Sequence, residues 1–183
     1  ACNRNGIDEP VGINAVERFL GDYALEKGWQ LPVPAADTGK RILIVGAGPA
    51  GLSAAYQLRR LGHAVHVVES AEAAGGMMRY GIPKYRLPRE VLDQEIARIT
   101  ALGVEFEFGR EVKDLNAEMK SAGYDAAFLG AGASLAHRAY IPAGDAAHIL
   151  DAVSVLRSME APDQGEDAPM LGRRVVVYGG GNT

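Results

Sequence analysis

The chain has 183 residues, 19 Lys and Arg against 23 Asp and Glu, a formal net charge of −4 and a single cysteine. That length allows one full domain and a piece of a second, and 48% hydrophobic with 7% aromatic residues suits a globular α/β protein and not a disordered chain. The scattered basic residues argue against nucleic acid as a partner. No apolar run approaches the roughly 20 residues of a membrane helix, so no membrane insertion is expected. Residues 1–20 hold several charges and no apolar core of the signal-peptide kind. One cysteine excludes an internal disulfide framework and is compatible with a cytoplasmic protein.

Along the chain, Val11, Ile13, Val16, Phe19, Leu20, Tyr23 and Leu25 recur mostly at helical spacing, which predicts a helix within 10–28. Trp29 and Leu31-Pro-Val-Pro34 end it and form a linker. A strand is predicted over 41–45, a helix over 49–61 and a strand over 64–69. A glycine-containing loop over 70–87 then leads into a helix over 88–102, with Val91, Leu92, Ile96 and Ile99 on one face. Gly103 is a helix stop and 104–108 a short strand. Residues 124–129 read as a buried strand ending in Gly130-Ala-Gly132. Further on come a helix over 146–159, a polar turn over 163–167 and a strand over 174–178.

The first strand and its glycine turn carry the chemistry. Ile42-Leu-Ile-Val45 runs into Gly46-Ala47-Gly48-Pro49-Ala50-Gly51, and Leu52-Ser-Ala-Ala-Tyr-Gln-Leu58 continues as helix. In a dinucleotide-binding βαβ unit the three glycines have separate tasks. Gly46 makes the tight turn, Gly48 lets a pyrophosphate approach the backbone, and Gly51 lets helix and strand pack closely. The helix N-terminus offers unpaired N–H groups to the phosphates. Glu69, at the end of the second strand, can accept hydrogen bonds from ribose hydroxyls and would repel a 2′-phosphate. FAD or NAD therefore fits better than NADP, and the glycines and acid do not separate those two.

The segment Gly75-Gly-Met-Met-Arg-Tyr-Gly-Ile-Pro-Lys-Tyr-Arg-Leu-Pro88 closely resembles the flavin-contacting loop of the glutamate synthase small-subunit family. That family includes the FAD domain of dihydropyrimidine dehydrogenase and the large subunit of ferredoxin–NADP transhydrogenases. The opening Ala1-Cys-Asn-Arg-Asn-Gly-Ile-Asp-Glu-Pro-Val-Gly-Ile-Asn-Ala-Val-Glu-Arg-Phe19 is similar to its iron–sulfur segment. The resemblance implies that Gly46 to Ala50 wrap the FAD pyrophosphate and that Glu69 holds the adenosine ribose. It further implies that Gly75, Gly76, Met77 and Arg86 line or clamp the flavin and that Gly132 and Ala133 belong to a returning loop near it. On composition alone, Met77 and Met78 could equally fill a core.

Cys2 alone is a free thiol. The resemblance makes it the last cysteine of a 4Fe-4S ligand set, with Glu17 as a non-cysteine ligand and the other ligands outside this chain. A second glycine turn, Val175-Val-Val-Tyr-Gly-Gly-Gly-Asn-Thr183, has the form of another Rossmann entry. By the resemblance, Gly180, Gly181, Asn182 and Thr183 would face the pyrophosphate of NAD(P)H. The chain stops there, and it is read as a fragment of a longer polypeptide. His63, His66, His137 and His148 lack metal-ligand spacing, and Ser53 lies in no nucleophile elbow. Asp145 reads as a turn residue or helix cap, and Glu105 and Glu107 as a solvated strand face.

The expected architecture is α/β: a Rossmann-like FAD-binding domain with an N-terminal helical iron–sulfur-type segment and the start of a second Rossmann domain. Its parts are 1–38, 39–172 and 173–183. The expected function is an electron-transfer flavoprotein module that moves electrons between NAD(P)H, FAD and iron–sulfur clusters. Those clusters and the substrate site would belong to other subunits or domains, and no acid–base catalytic residue is expected. A non-catalytic dinucleotide-binding docking subunit is the alternative. A plain NAD-dependent dehydrogenase is disfavoured by the loop at 75–88.

Overall fold

The structure is a computed structural model that describes residues 2–133, 149–160 and 173–179. The chain forms two compact units, Ala1–Pro32 and Val33–Thr183. In the first, a 3-10 turn at Asn3–Gly6 precedes helix α1, Ile13–Glu26. The helix is shorter at both ends than 10–28, because Gly12 is its N-cap and Lys27 its C-cap. Phe19 stacks on Tyr23 with ring centroids 6.0 Å apart, and Tyr23 meets Trp29 edge-on at 5.6 Å.

The second unit is built on a parallel sheet. Strand β1 (Arg41–Val45) pairs with β2 (Ala64–Val68) on one side and with β4 (Ala126–Leu129) on the other. Strand β3 (Glu105–Glu107) adds to β2, so the order among the described residues is β3-β2-β1-β4. Ile42, Leu43 and Ile44 are all buried, as expected of a central parallel strand covered on both faces. Helices α2 (Pro49–Arg60) and α4 (Arg89–Thr100) follow β1 and precede β3. Leu52 and Ala55 of α2 join Ile44, Val65, Val67 and Val104 in one core, with Ile96 and Ile99 of α4 packed against it. The segment before β1 is tied to the end of α2: Ala35 N–H donates to the Arg60 carbonyl (2.9 Å) and Thr38 N–H to that of Gly62 (3.1 Å).

Several expectations are corrected. The strand predicted as buried over 124–129 forms at Ala126–Leu129, yet Leu129 is 66% exposed. It is an edge strand, paired to β1 alone among the described residues. The loop 70–87 contains a one-turn helix α3, Met77–Tyr80, and the stretch before β4 contains α5, Leu115–Ala122. The start of α5 is fixed by Asp114, whose carboxylate accepts the Ala117 N–H at 3.0 Å, and its end by Gly123 at φ +65°. These are ordinary cap signals. The helix predicted over 146–159 forms as α6, Ala152–Ser158; Asp151 caps it by accepting the Ser154 N–H at 2.8 Å. Residues 174–178 form no strand, and Val176 is 92% exposed. A strand is stable only in a ladder, and no described strand pairs with them. The turn at 163–167, His137, His148 and Asp145 lie outside the described residues.

Polar groups fasten the strand ends. The Asp125 carboxylate accepts from Lys40 Nζ (2.8 Å) and from the Arg41 N–H (2.9 Å). Arg110 grips Glu118 through two contacts of 2.9 and 3.1 Å and reaches Glu107 at 2.7 Å. Glu107, read as solvated, is therefore ion-paired. His66 lies 2.5 Å from the Tyr124 hydroxyl, whose own ionisation is pushed up by burial.

Two outcomes follow from these contacts. A Cβ on Gly51 would lie 1.8 Å from the Gly46 carbonyl oxygen; Gly51→Ala should lower the unfolding free energy by about 2–3 kcal/mol, read by urea denaturation. Lys40, and then the Arg41 N–H, hold the Asp125 carboxyl below its usual range; Arg110 does the same for Glu118. A lowered folded-state value means that this stabilisation is complete above the ordinary carboxylate range of about 4 and is lost as pH falls through the lowered value. The urea midpoint should drop in that acid window, with a shallower drop in Asp125→Asn.

Candidate functional site

The site lies where the C-terminal ends of β1, β2 and β4 meet the start of α2. Val45 runs into Gly46, whose φ of +100° turns the chain sharply. A Cβ there would sit 2.4 Å from the Gly130 carbonyl oxygen at the end of β4. Gly46 N–H donates to the Val68 carbonyl and Gly130 N–H to that of Val45, each at 2.8 Å, so three strand ends share one knot of backbone. Gly51, the third residue of α2, packs on the Gly46 carbonyl. This brings the start of α2 to the strand ends, where its first N–H groups have no intrahelical acceptor. Pro49 occupies the first helical position, where a missing N–H costs nothing.

Gly75 and Gly76 enter from beneath. Gly75 N–H donates to the Ala47 carbonyl at 2.9 Å, and a Cβ on Gly76 would come within 2.7 Å of Gly48 Cα. Gly48 differs: its φ is −76°, and a Cβ there would meet protein no closer than 3.9 Å, at Gly76 Cα. Nothing in the protein forbids a side chain at Gly48. The space it would take belongs to a cleft of about 690 Å³, within the usual range for cofactor sites.

Of the expected residues, Gly48, Pro49, Ala50, Glu69, Gly76, Met77, Gly132 and Ala133 line this cleft. Gly46, Ala47, Gly51 and Gly75 form its support, with Ala47 fully buried. The two methionines separate: Met77 faces the cleft, whereas Met78 packs against the core. Glu69 does more than mark the end of β2. Its Oε2 accepts the Ala47 N–H at 2.6 Å, and its Oε1 accepts the Ala71 N–H at 2.8 Å and the Ser70 hydroxyl at 3.1 Å. A carboxylate offers about four acceptor sites, two on each oxygen, so Oε2 retains one toward a ribose hydroxyl.

Other expected residues lie elsewhere. Arg86 is exposed and does not line the cleft. Gly180, Gly181, Asn182 and Thr183 fall outside the described residues, while Gly179 turns at φ +117°. Cys2 precedes the 3-10 turn, its thiol lowered by a backbone hydrogen bond from Val11 and then from Arg4. Glu17 is exposed on α1. No group of three or more His, Cys, Asp or Glu among the described residues could hold a metal; one cysteine and one carboxylate do not make the four-ligand set of an iron–sulfur cluster. His63 bonds Thr38 (2.7 Å) and His66 bonds Tyr124, both away from the cleft.

Among the lining residues that sequence reasoning did not assign are several polar ones. Ser70 and Glu72 add polar groups beside Glu69, and Arg157 of α6 reaches the cleft from far along the chain. Arg89 and Glu160 form a largely buried ion pair beside it. Only the adjacency of Ser70 and Glu72 to Glu69 was visible in the sequence.

The empty floor at Gly48, the free N–H groups of α2 and the carboxylate at the β2 end are the donor and acceptor set of a dinucleotide. A family profile described as pyridine nucleotide-disulphide oxidoreductase matches residues 40–183. The NAD-dependent dihydropyrimidine dehydrogenase subunit PreT of Salmonella typhimurium is 37% identical over 183 residues, covering 99% of this chain and 43% of that protein. The glutamate synthase (NADPH) small chain of Escherichia coli is 34% identical over 192 residues, covering 100% and 41%. The NADP(+)-dependent formate dehydrogenase subunit beta of Moorella thermoacetica is 36% identical over 208 residues, covering 99% and 29%. The chain thus spans less than half the length of each. A 2-naphthoyl-CoA reductase shares the fold over 69% of this chain and 19% of its own, with a TM-score of 0.58 and 24% identity. No helix among the described residues is long and apolar enough to cross a membrane. With a parallel sheet, a glycine cradle and a family match over most of its length, this chain belongs to the pyridine nucleotide-disulphide oxidoreductases, in the group that includes the glutamate synthase small chain.

Proposed function

We propose that this chain is the FAD-binding part of an electron-transfer flavoprotein module in a larger oxidoreductase, working between NAD(P)H and iron–sulfur centres held elsewhere. The observation that carries this reading is the side-chain-free floor at Gly48 and Gly76, with α2 opening onto it and Glu69 at its edge. Bound FAD would supply the conversion between hydride transfer from a nicotinamide and single-electron transfer to a one-electron acceptor.

The chain's own residues bind and orient. The N–H groups at the start of α2 point toward where the pyrophosphate would lie, and the helix dipole favours negative charge there. Glu69 ties the glycine turn to the end of β2 and turns its remaining acceptor capacity to the adenosine ribose. Met77 provides an apolar, polarizable surface on the flavin side, with Gly132 and Ala133 opposite. Gly180 to Thr183 are proposed to contact the nicotinamide dinucleotide's pyrophosphate. Cys2 and Glu17 are proposed as ligands of a cluster completed by residues outside this chain. Localisation is proposed as cytoplasmic. The relatives' names support the subunit reading, because PreT, the glutamate synthase small chain and the formate dehydrogenase beta chain are all named as parts of larger enzymes.

The purified protein is expected to show a yellow flavin spectrum that bleaches when NADH or NADPH is added without oxygen; a colourless, flavin-free protein would sink the proposal. Glu69→Arg should cut FAD retention on gel filtration at least about tenfold, since it replaces a ribose acceptor by a cation and removes the Ala47 N–H partner. Gly48→Ala is expected to unfold within about 1 kcal/mol of the native protein yet bind FAD far more weakly. Equal FAD affinity in that variant would mean that the cradle holds no pyrophosphate.

A further inference from the structure

The cleft has a charge imbalance that the glycine turn does not resolve. Among the described residues that line it, the charged side chains are Glu69, Glu72 and Arg157. Two carboxylates line the cleft that is to accommodate a doubly charged pyrophosphate, and a helix N-terminus offers only about half an elementary charge to it. Among the described residues, the side-chain cation in the lining is Arg157, and it comes from α6, roughly a hundred residues after the glycine turn.

Arg157 is placed by an arrangement that the nucleotide motif does not explain. Its guanidinium lies over the Tyr80 ring of α3, 5.8 Å from the centroid, at cation–π distance. Two residues beyond α6, Glu160 forms a bidentate pair with Arg89, Nη2 to Oε1 at 2.7 Å and Nε to Oε2 at 3.0 Å. These side chains are 11% and 10% exposed. The same Arg89 donates to the carbonyls of Arg79 (2.5 Å), Ile82 (2.6 Å) and Leu87 (2.8 Å). One guanidinium therefore binds the end of α6 to the loop that carries Gly76, Met77 and Tyr80. A largely buried charge pair with this many carbonyl partners holds both walls in one register, and its disruption would leave charge and carbonyls without partners.

We infer that Arg157 is the side-chain countercharge for the phosphates of the bound dinucleotide, and that the Arg89–Glu160 pair is the positioning element that holds it at the cleft. The inference rests on the dinucleotide reading of the cleft. A planar guanidinium suits this role because it can donate two parallel hydrogen bonds to a phosphate, and because stacking on Tyr80 limits the freedom it loses on binding. Arg157 remains exposed, free to turn toward the ligand.

The test titrates the purified full chain with FAD and with riboflavin, following flavin fluorescence. Arg157→Gln should weaken FAD binding about tenfold and leave riboflavin binding unchanged, and Arg157→Lys should recover part of the loss. Glu160→Gln should weaken FAD binding in the unsubstituted background but add nothing to Arg157→Gln, because it acts through that residue. Unchanged FAD affinity in Arg157→Gln, or an equal loss for riboflavin, overturns the phosphate role. Fully additive losses overturn the positioning role of Glu160. If the unsubstituted chain binds no FAD at all, the dinucleotide reading itself fails; if it binds FAD and Arg157→Gln binds it equally well, that reading stands and only this inference falls.

Discussion

Three backbone segments meet at the end of β1 with no room for side chains, and the second unit is arranged around that meeting. The Gly46 carbonyl is packed by Gly51, and the Gly46 Cα by the Gly130 carbonyl, in both cases closer than any Cβ could tolerate. Close approach of this kind lets α2 begin at the strand ends instead of standing off by a side chain. The helix's unpaired N–H groups then open at the sheet's C-terminal edge, the ordinary ligand position of an open parallel sheet. Gly76 repeats the constraint from below, against Gly48. The cleft floor is consequently bare backbone, and bare backbone offers short, directed N–H groups to an anion.

Glu69 links the fold to the chemistry. A partly buried carboxylate that accepts two backbone N–H groups and a hydroxyl stiffens the turn between β2 and the following loop. Because one of those donors is Ala47, the same side chain holds β2's end to the glycine turn. Stability and ligand contact thus fall on one residue. Asp125 fixes the N-terminal ends of β1 and β4 by charge-assisted bonds, while Arg110, whose N–H donates to the Glu69 carbonyl at 3.0 Å, ties the C-terminal end of β3 to Glu118 of α5; both make the unit sensitive to acid.

The wall opposite the glycine floor is organised by electrostatics and not by close packing. Arg89 satisfies carbonyls of a loop that would otherwise need water or strands to do so, and Glu160 balances its charge. Helix α6 is only seven residues long, too short to be stable alone. Its cap at Asp151 and the ion pair just past its C-terminus give it a fixed place against α3.

The glycine turn, the strand–helix–strand order around it and the acid at Glu69 were legible in the sequence because they are local. Each depends on residues within about thirty positions of one another, where backbone periodicity and glycine placement dictate geometry. The caps of α5 at Asp114 and Gly123 were equally local and could have been read. Tertiary structure decided the rest. It made β4 an edge strand although Ala126-Ala-Phe-Leu129 reads as a buried run, because burial depends on neighbours that the segment does not name. It set Met77 toward the cleft and Met78 toward the core, since which side a side chain faces is fixed by the turn at Gly76. It left Arg86 exposed and used Arg89, at the start of α4, to hold the loop, and it brought Glu160 and Arg157 to the same wall. Those pairings join residues some 70 positions apart through charge and packing, and a sequence pattern carries no record of which distant partners will share a cleft.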